Sequence, residues 1–401
     1  MSYNNTTTPE QKVNVDLYLG DCLHTLRKLT DCSVDSIVTD PPYGLSKQQD
    51  MAEVLRHWLA GDDYTHNGGG FMGKSWDSFV PGPSIWRECL RVLKPGGHLL
   101  AFAGTRTMDL MGLSLRLAGF ELRDSIGYAH DDEDSDGSPL LAWVYGSGFP
   151  KSLNVHKATG DDRHAGLGTA LKPAWEPILI ARKPLIGTVA ENVQNFGTGA
   201  INVDGCRVEG RERTNYGLAN SARSAGNTYG KPSESADFDA SKGRWPANLV
   251  HDGSEAATEG LGHASRFFYC AKASKRDRDE GCENMPSTSA ADMVGRDEGS
   301  DGMNSPRSGA GRASGARNFH PTVKPTELMR WLVRLVTPPS GVVLDPFTGS
   351  GSTGKAAVME GFNFIGCELS GDYMRIAVAR IGHAMIFGKP HVFLTSCEGQ
   401  K

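Results

Sequence analysis

Three features of the chain predict an α/β fold built on a doubly wound, mostly parallel sheet. Short β-branched apolar runs alternate with segments of helical spacing, separated by Gly, Asp or Pro turns in the manner of βαβ units. Two of those runs end in dense polar turns, Asp40-Pro41-Pro42-Tyr43 and Asp345-Pro346-Phe347-Thr348-Gly349, and open α/β sheets bind ligands at the carboxyl ends of strands. The alternation stops in the middle of the chain, gives way to a long polar stretch, and resumes near the C-terminus. One sheet is therefore expected to be built from both ends.

In chain order, Val13 to Leu19 alternates as a first strand and Gly20-Asp21 ends it. Cys22 to Leu29 places Leu23, Leu26 and Leu29 at helical spacing. Val34 to Thr39 reads as a buried strand that two prolines stop. Residues 44–80 are polar and Gly-rich and read as a mobile loop. An amphipathic helix follows from Ile85 to Leu93, stopped by Lys94-Pro95-Gly96-Gly97, and then a strand from His98 to Ala103. A helix at 107–118 and strands around 120–128 and from Leu140 to Tyr145 complete this half. The second half has a helix from Glu327 to Val336, a strand Val342-Val343-Leu344, a helix from Thr353 to Glu360, a strand from Phe362 to Cys367 and a last helix from Tyr373 to Ile386.

At 401 residues the chain has room for one large domain with an insert, or for two domains. The expected division is 1–187, 188–318 and 319–401, the middle part being rich in Gly, Ser, Asn and Arg, with 286–318 of low complexity and expected to be disordered. No run approaches a membrane span and the N-terminus lacks a charged-then-apolar signal, so a cytoplasmic location is expected. Eight scattered cysteines with no C-x-x-C pair signal neither a zinc site nor a disulfide framework. A net charge of −5 excludes a protein that holds nucleic acid by its overall charge, so any such role rests on local basic patches.

The prolines of Asp40-Pro41-Pro42-Tyr43 remove two donors and fix φ, which stiffens a turn carrying a carboxylate, two carbonyls and an aromatic face. Such a turn suits a planar group that bears an NH2. The second constellation, Leu344 through Lys355, joins a strand to a helix through Gly349, Gly351 and Gly354. Its glycines let a ligand approach the backbone and the helix N-terminus. Three ligands compete for it. Gly349-x-Gly351-x-x-Gly354 matches a dinucleotide fingerprint with Glu368 placed for ribose hydroxyls. Gly349 to Lys355 matches most of a phosphate loop, but Ala356 stands where Mg²⁺ needs Ser or Thr. S-adenosylmethionine has no phosphate, so Asp345 can face its ammonium and Glu368 its ribose, whereas Asp345 would repel a pyrophosphate.

With both motifs in view the chain resembles an amino-group DNA methyltransferase. Asp40-Pro41-Pro42-Tyr43 resembles the catalytic motif of that family, and Asp345-Pro346-Phe347-x-Gly349-x-Gly351 its cofactor loop. The catalytic motif comes first, which is the permuted order of the family's β group, and the central insert looks like that of phage-type members. His320-Pro321-Thr322-Val323-Lys324-Pro325 resembles the segment that meets the methionine part of the cofactor, and Gly20-Asp21-Cys22 the turn that meets its adenine. The resemblance implies a circularly permuted, Rossmann-like S-adenosylmethionine-dependent methyltransferase fold. It implies Asp40, Pro41, Pro42 and Tyr43 as catalytic, and Asp21, Cys22, Thr322, Lys324, Asp345, Pro346, Phe347, Gly349, Gly351 and Glu368 as cofactor-binding.

In the implied reaction Asp40 and the Pro41 carbonyl grip the amino group of a base flipped out of duplex DNA, and Tyr43 stacks on it. Phe149 or Trp143 is the expected partner on the opposite side, although Trp143 lies in an apolar strand and suits core packing equally. Arg266, Lys272, Lys275, Arg276 and Arg278 around Phe267-Phe268-Tyr269 suit DNA phosphate and base stacking, or else form a solvated basic face. Arg244 belongs to a set of arginines expected to include base readers. Lys324 is expected to neutralise the cofactor carboxylate or a phosphate, and Glu176 to orient DNA or the site or to be a solvated loop charge. Adenine is favoured over cytosine because relatives that methylate the cytosine amino group usually carry Ser in place of Asp40. A catalytically silent DNA-binding relative and a nicotinamide dehydrogenase are the alternatives. The resemblance gives duplex DNA as partner, admits a homodimer and a cognate restriction nuclease, and needs neither metal nor membrane.

Overall fold

The computed structural model describes residues 13–45, 49–66, 70, 75–123, 140–144, 153–171, 174–208, 243, 246, 248–251, 268–269, 273–289, 292 and 315–387. Ten strands form one sheet: β1 (Val15–Leu19), β2 (Val34–Thr39), β3 (Leu93–Phe102), β4 (Glu121–Leu122), β5 (Leu140–Val144), β6 (Trp175–Arg182), β7 (Leu249–His251), β8 (Phe268–Tyr269), β9 (Val342–Asp345) and β10 (Asn363–Glu368). Their spatial order is β1-β10-β9-β2-β3-β6-β5-β7-β8, with β4 also on β6. All pairings are parallel except those of β6, which runs antiparallel to β3, β4 and β5.

The pairing that matters most joins β2 to β9, with Ser36 opposite Val343 and Ile37 opposite Leu344. From this junction the chain continues to β3 on one side and to β10 and β1 on the other. It is the topological switch point of a doubly wound sheet, where a crevice opens at the strand ends. Asp40 and Asp345 stand there side by side although they are far apart in sequence.

Alternate residues of the central strands feed two cores. Ile37 and Leu99 face one with Leu26, Val54, Trp58, Trp86, Cys89, Val92, Met111 and Leu115. These come from α1 (Cys22–Leu26), α2 (Met51–Ala60), α3 (Pro83–Val92) and α4 (Met108–Ala118). Val38 and Leu100 face the other with residues of α8 (Thr326–Val336), α9 (Ser352–Met359) and α10 (Gly371–Phe387). Burial on both faces fits β2, whose six residues are all buried and in which the β-branched Val34, Ile37, Val38 and Thr39 dominate.

Two sequence expectations change. The mobile loop of 44–80 contains α2, capped by Asp50, which accepts from the Ala52 N–H, and ended by Gly61 at φ 90°. The Lys94-Pro95-Gly96-Gly97 stop lies within β3 as a bulge, where the register jumps from Val34 opposite Leu93 to Ser36 opposite His98. Asn192 Nδ2 and Thr198 Oγ1 both donate to the Pro95 carbonyl and pin it. Asn192 belongs to α6 (Val189–Phe196), which follows α5 (Val155–Thr159) and opens with a Thr188–Glu191 capping box.

The polar middle stretch supplies β7 and β8 to the sheet and the short helix α7 (Lys275–Asp279). Residues 124–139, which held most of the expected strand at 120–128, and most of 286–318 lie outside the described residues. No helix among the described residues is long and apolar enough to cross a membrane.

Candidate active site

β2 delivers Asp40 to the crevice and the following turn is fixed from outside the motif. The backbone N–H groups of Tyr43 and Gly44 both donate to Asp77 Oδ1, at 2.7 and 3.1 Å, and Thr107 Oγ1 donates to the Tyr43 carbonyl at 2.6 Å. Asp77 is buried. It was missed in the sequence because it sits in the stretch read as a mobile loop, and Ser75-Trp76-Asp77 carries no motif that would flag it. Replacing Asp77 with Ala leaves two turn N–H groups unpaired, and each such loss costs about 1–3 kcal/mol. The expected result is a drop in kcat of about 10²-fold together with a lower melting temperature, read by steady-state kinetics and thermal denaturation.

Asp40 does not stand alone. Tyr43 OH donates to Asp40 Oδ1 at 2.8 Å, and Lys324 Nζ lies 3.0 Å from the same oxygen. Oδ2 has no partner among the described residues. Lys324 Nζ also donates to Tyr43 OH at 3.0 Å and pairs with Glu176 Oε2 at 3.1 Å. Burial raises the Asp40 carboxyl above its ordinary value and Glu176 adds to this, while Lys324 pulls the other way. Burial alone would lower Lys324, but Asp40 and Glu176 outweigh it and hold the ammonium charged. Lys324 thus sits between two carboxylates, Asp40 and Glu176, of the N-terminal part of the chain. Glu176 belongs to β6 itself and lines the cavity.

Across the crevice, Asp345 Oδ1 accepts from Thr39 Oγ1 at 2.6 Å and from the Phe347 N–H at 3.0 Å. The first of these bonds ties the two motif-bearing strands together. Asp345 is buried and has no cationic partner among the described residues, and burial pushes it up to about 6. Glu368, at the end of β10, accepts from the Gly349 N–H at 2.8 Å and the Ser370 N–H at 2.7 Å. Gly349 has φ 53°, and a Cβ on it would meet His320 Nε2 at 2.9 Å, so the loop needs glycine there. The His320 Nδ1–H donates to the Thr322 carbonyl at 2.8 Å, and burial drives the ring's pKa down to about 3, so it is neutral.

These groups enclose one cavity of about 840 Å³. Asp40, Pro41, Pro42, Tyr43, Thr322, Lys324, Asp345, Phe347, Gly349 and Glu368 all line it. Pro346 and Gly351 belong to the same loop without lining the cavity. Asp21 and Cys22 do not line it either. Their turn abuts the wall, with the Gly20 N–H donating to the Glu368 carbonyl at 2.9 Å; Asp21 caps α1 and Cys22 is buried. Trp143 packs in the core, and the aromatic residues that line the cavity besides Tyr43 include Trp76 and Trp175. Neither tryptophan is flagged by a sequence motif, since each lies beside a charged residue outside the two ligand turns.

Phe149, Arg244, Arg266 and Lys272 lie outside the described residues. Lys275 and Arg276 are exposed on α7, away from the cavity lining. α7 is anchored to α8 and α9, because Asp277 accepts from the Thr326 N–H at 2.9 Å and pairs with Lys355 at 3.0 Å. Lys355 also pairs with Glu280 at 2.8 Å. The lysine of the phosphate-loop match is therefore a buried tether between two carboxylates, and the acidic walls of the cavity repel a pyrophosphate. Both phosphate readings fail on these charges. Among the described residues no group of three or more His, Cys, Asp or Glu could hold a metal ion.

Over 74 residues the chain is 40% identical to the type II methyltransferase M.ScaI of Streptomyces caespitosus, covering 18% of this chain and 24% of that protein. Over 62 residues it is 39% identical to the DNA adenine methyltransferase YhdJ of Escherichia coli K12, covering 16% and 21%. The matches therefore span about a quarter of the curated relatives. Among solved structures, that of the M1.HpyAVI–SAM complex superposes with a TM-score of 0.41 at 16% identity, over 92% of this chain and 98% of that one. The family model described as DNA methylase, N6_N4_Mtase, matches residues 34–379, a span that holds both the Asp40 turn and the Asp345 loop. The chain belongs to the N6/N4 DNA methylase family.

Proposed function

We propose that this protein transfers a methyl group from S-adenosylmethionine to the exocyclic amino group of adenine at specific sites in duplex DNA, with the base flipped into the cavity. The observation that carries the reading is the shared crevice. A turn with a free carboxylate oxygen and rigid carbonyls faces an acidic glycine loop, and one hydrogen bond, Thr39 to Asp345, joins the two. In this reading residues 1–187 are the catalytic half, 319–401 the cofactor half in permuted order, and 188–318 the target-recognition part.

The residues suit the cofactor. Asp345 is a buried carboxylate with no cationic partner among the described residues, which suits an ammonium site, and Gly349 keeps the backbone open to a ligand. Asp345 would hold the ammonium, Glu368 the ribose, and the Gly349 loop the chain between them. When bound, S-adenosylmethionine supplies an electrophilic methyl group on a sulfonium. The amino nitrogen of adenine is a weak nucleophile because its lone pair is shared with the ring. Asp40 Oδ2 and the Pro41 carbonyl would accept its two N–H bonds and localise that pair, while Tyr43 and an opposing tryptophan hold the ring plane. Adenine is preferred over cytosine because position 40 carries Asp.

Treated DNA digested to nucleosides and weighed tests the reading. N6-methyladenine supports it, and N4-methylcytosine in its place overturns the base assignment. Affinity for the cofactor supplies a second test. An ammonium beside Asp345 favours the ionised carboxylate, so binding should tighten as pH rises towards about 6 and level off above. Below that value the affinity should fall by up to about tenfold per pH unit. Calorimetric titration should show this slope in the wild type, and a weaker, flatter profile in Asp345→Asn.

A further inference from the structure

Glu176 plays no part in the mechanism above, yet it is built into the site. It lies on β6, lines the cavity, and pairs with the ammonium that also holds Asp40. Lys324 has three N–H bonds, and three oxygens surround it: Asp40 Oδ1, Glu176 Oε2 and Tyr43 OH. The Phe102 ring closes the apolar side, 4.6 Å from Nζ. The lysine side chain is only 7% exposed, so water does little to screen these charges.

We propose that Glu176 is a positioning residue that sets the methyl-accepting pocket at a net charge of minus one, matched to the cation that arises on the target nitrogen. One ammonium facing two carboxylates leaves a single negative charge. Without Glu176, Lys324 would cancel Asp40 and the pocket would be neutral. A neutral pocket can still bind a neutral amino group, so the ground state does not need Glu176.

The transition state does. As the nitrogen–carbon bond forms and the carbon–sulfur bond breaks, the positive charge passes from sulfur to the amino nitrogen. A proton then leaves that nitrogen for Asp40 or water, and a neutral methylamino group remains. The charge therefore arrives beside Lys324, and like charges repel unless a second carboxylate compensates. Glu176 supplies that compensation through Lys324 without touching the base. The inference rests on amino-group methyl transfer, whichever base carries the amino group.

The test uses the full-length protein, a duplex containing its methylation site, and four forms: wild type, Glu176→Gln, Glu176→Asp and the double variant Glu176→Gln/Lys324→Met. For Glu176→Gln the expected result is a fall in kcat of about 10²-fold, with KM for DNA within about threefold of wild type. Its affinity for the duplex without cofactor, read by fluorescence anisotropy, should match wild type, because binding is a ground-state property. Glu176→Asp, which keeps the charge, should recover most of the lost rate. The double variant, which restores a charge of minus one on Asp40 alone, should be faster than Glu176→Gln.

A Glu176→Gln protein with wild-type kcat overturns the proposal. So does equal damage in Glu176→Gln and Glu176→Asp, or a double variant no faster than Glu176→Gln. A wild type that methylates no DNA would instead defeat the functional reading itself.

Discussion

Replacing Asp40 with Ala is expected to lower the single-turnover rate of methyl transfer by at least about 10³-fold while leaving cofactor affinity within a few-fold of wild type. In the proposed reaction Asp40 supplies the carboxylate that accepts from the amino group. Asp345 and Glu368, proposed to face the cofactor, sit on different strands, β9 and β10. The loss is compounded by Lys324, which would keep its charge through Glu176 and confront the developing cation with nothing between them. Cofactor binding should survive and can strengthen slightly, because Asp40 is among the groups that raise Asp345. Labelled methyl transfer in a quenched-flow instrument, paired with calorimetric binding, reads both quantities. A variant that keeps more than about a tenth of the wild-type rate would remove Asp40 from the chemistry.

What could be read from the sequence was local. Both ligand turns are contiguous, and their chemistry follows from prolines, glycines and carboxylates spaced within a few residues. The strands that carry them were equally plain, since β-branched and apolar residues dominate both. Whatever depends on contact between distant segments was not legible. The β2–β9 pairing joins residues some three hundred positions apart, and nothing in either strand names its neighbour. Asp77 reaches the catalytic turn across a helix, and Lys324 meets Glu176 only because β6 runs antiparallel beside β3. α2 was hidden for a different reason. Its buried face consists of Val54 and Trp58, too small a stripe to stand out from glycine-rich and histidine-containing flanks. β7 and β8 are two or three residues long, below the length at which alternation carries a signal.

A second large effect is expected far from the chemistry. Glu360 ends α9 with its side chain wholly buried, and it accepts from Arg330 Nε at 2.7 Å and from Arg334 Nε and Nη2 at 2.7 and 2.6 Å. Both arginines project from α8, so this one carboxylate rivets α8 to α9. Changing Glu360 to Ala leaves the Arg334 guanidinium without its carboxylate and Arg330 with only the exposed Glu327, 2.9 Å away, which costs about 3–5 kcal/mol. Urea denaturation should show the midpoint falling with little change in slope. The same contact gives the wild type an acid limb. Burial alone would raise Glu360, but the bonds from Arg334 and Arg330 outweigh it and hold the carboxyl below its ordinary 4.5. A depressed carboxylate contributes stability that is present in full above its unfolded value and lost as pH falls through the folded one. The wild type should therefore lose stability below about pH 4.5 more steeply than Glu360→Ala. Because α9 begins at Gly351, immediately after the loop that Glu368 holds, loosening its far end should also weaken cofactor binding. A Glu360→Ala protein that unfolds at the wild-type midpoint would show that the two arginines find other partners and that α8 and α9 are held by apolar packing alone.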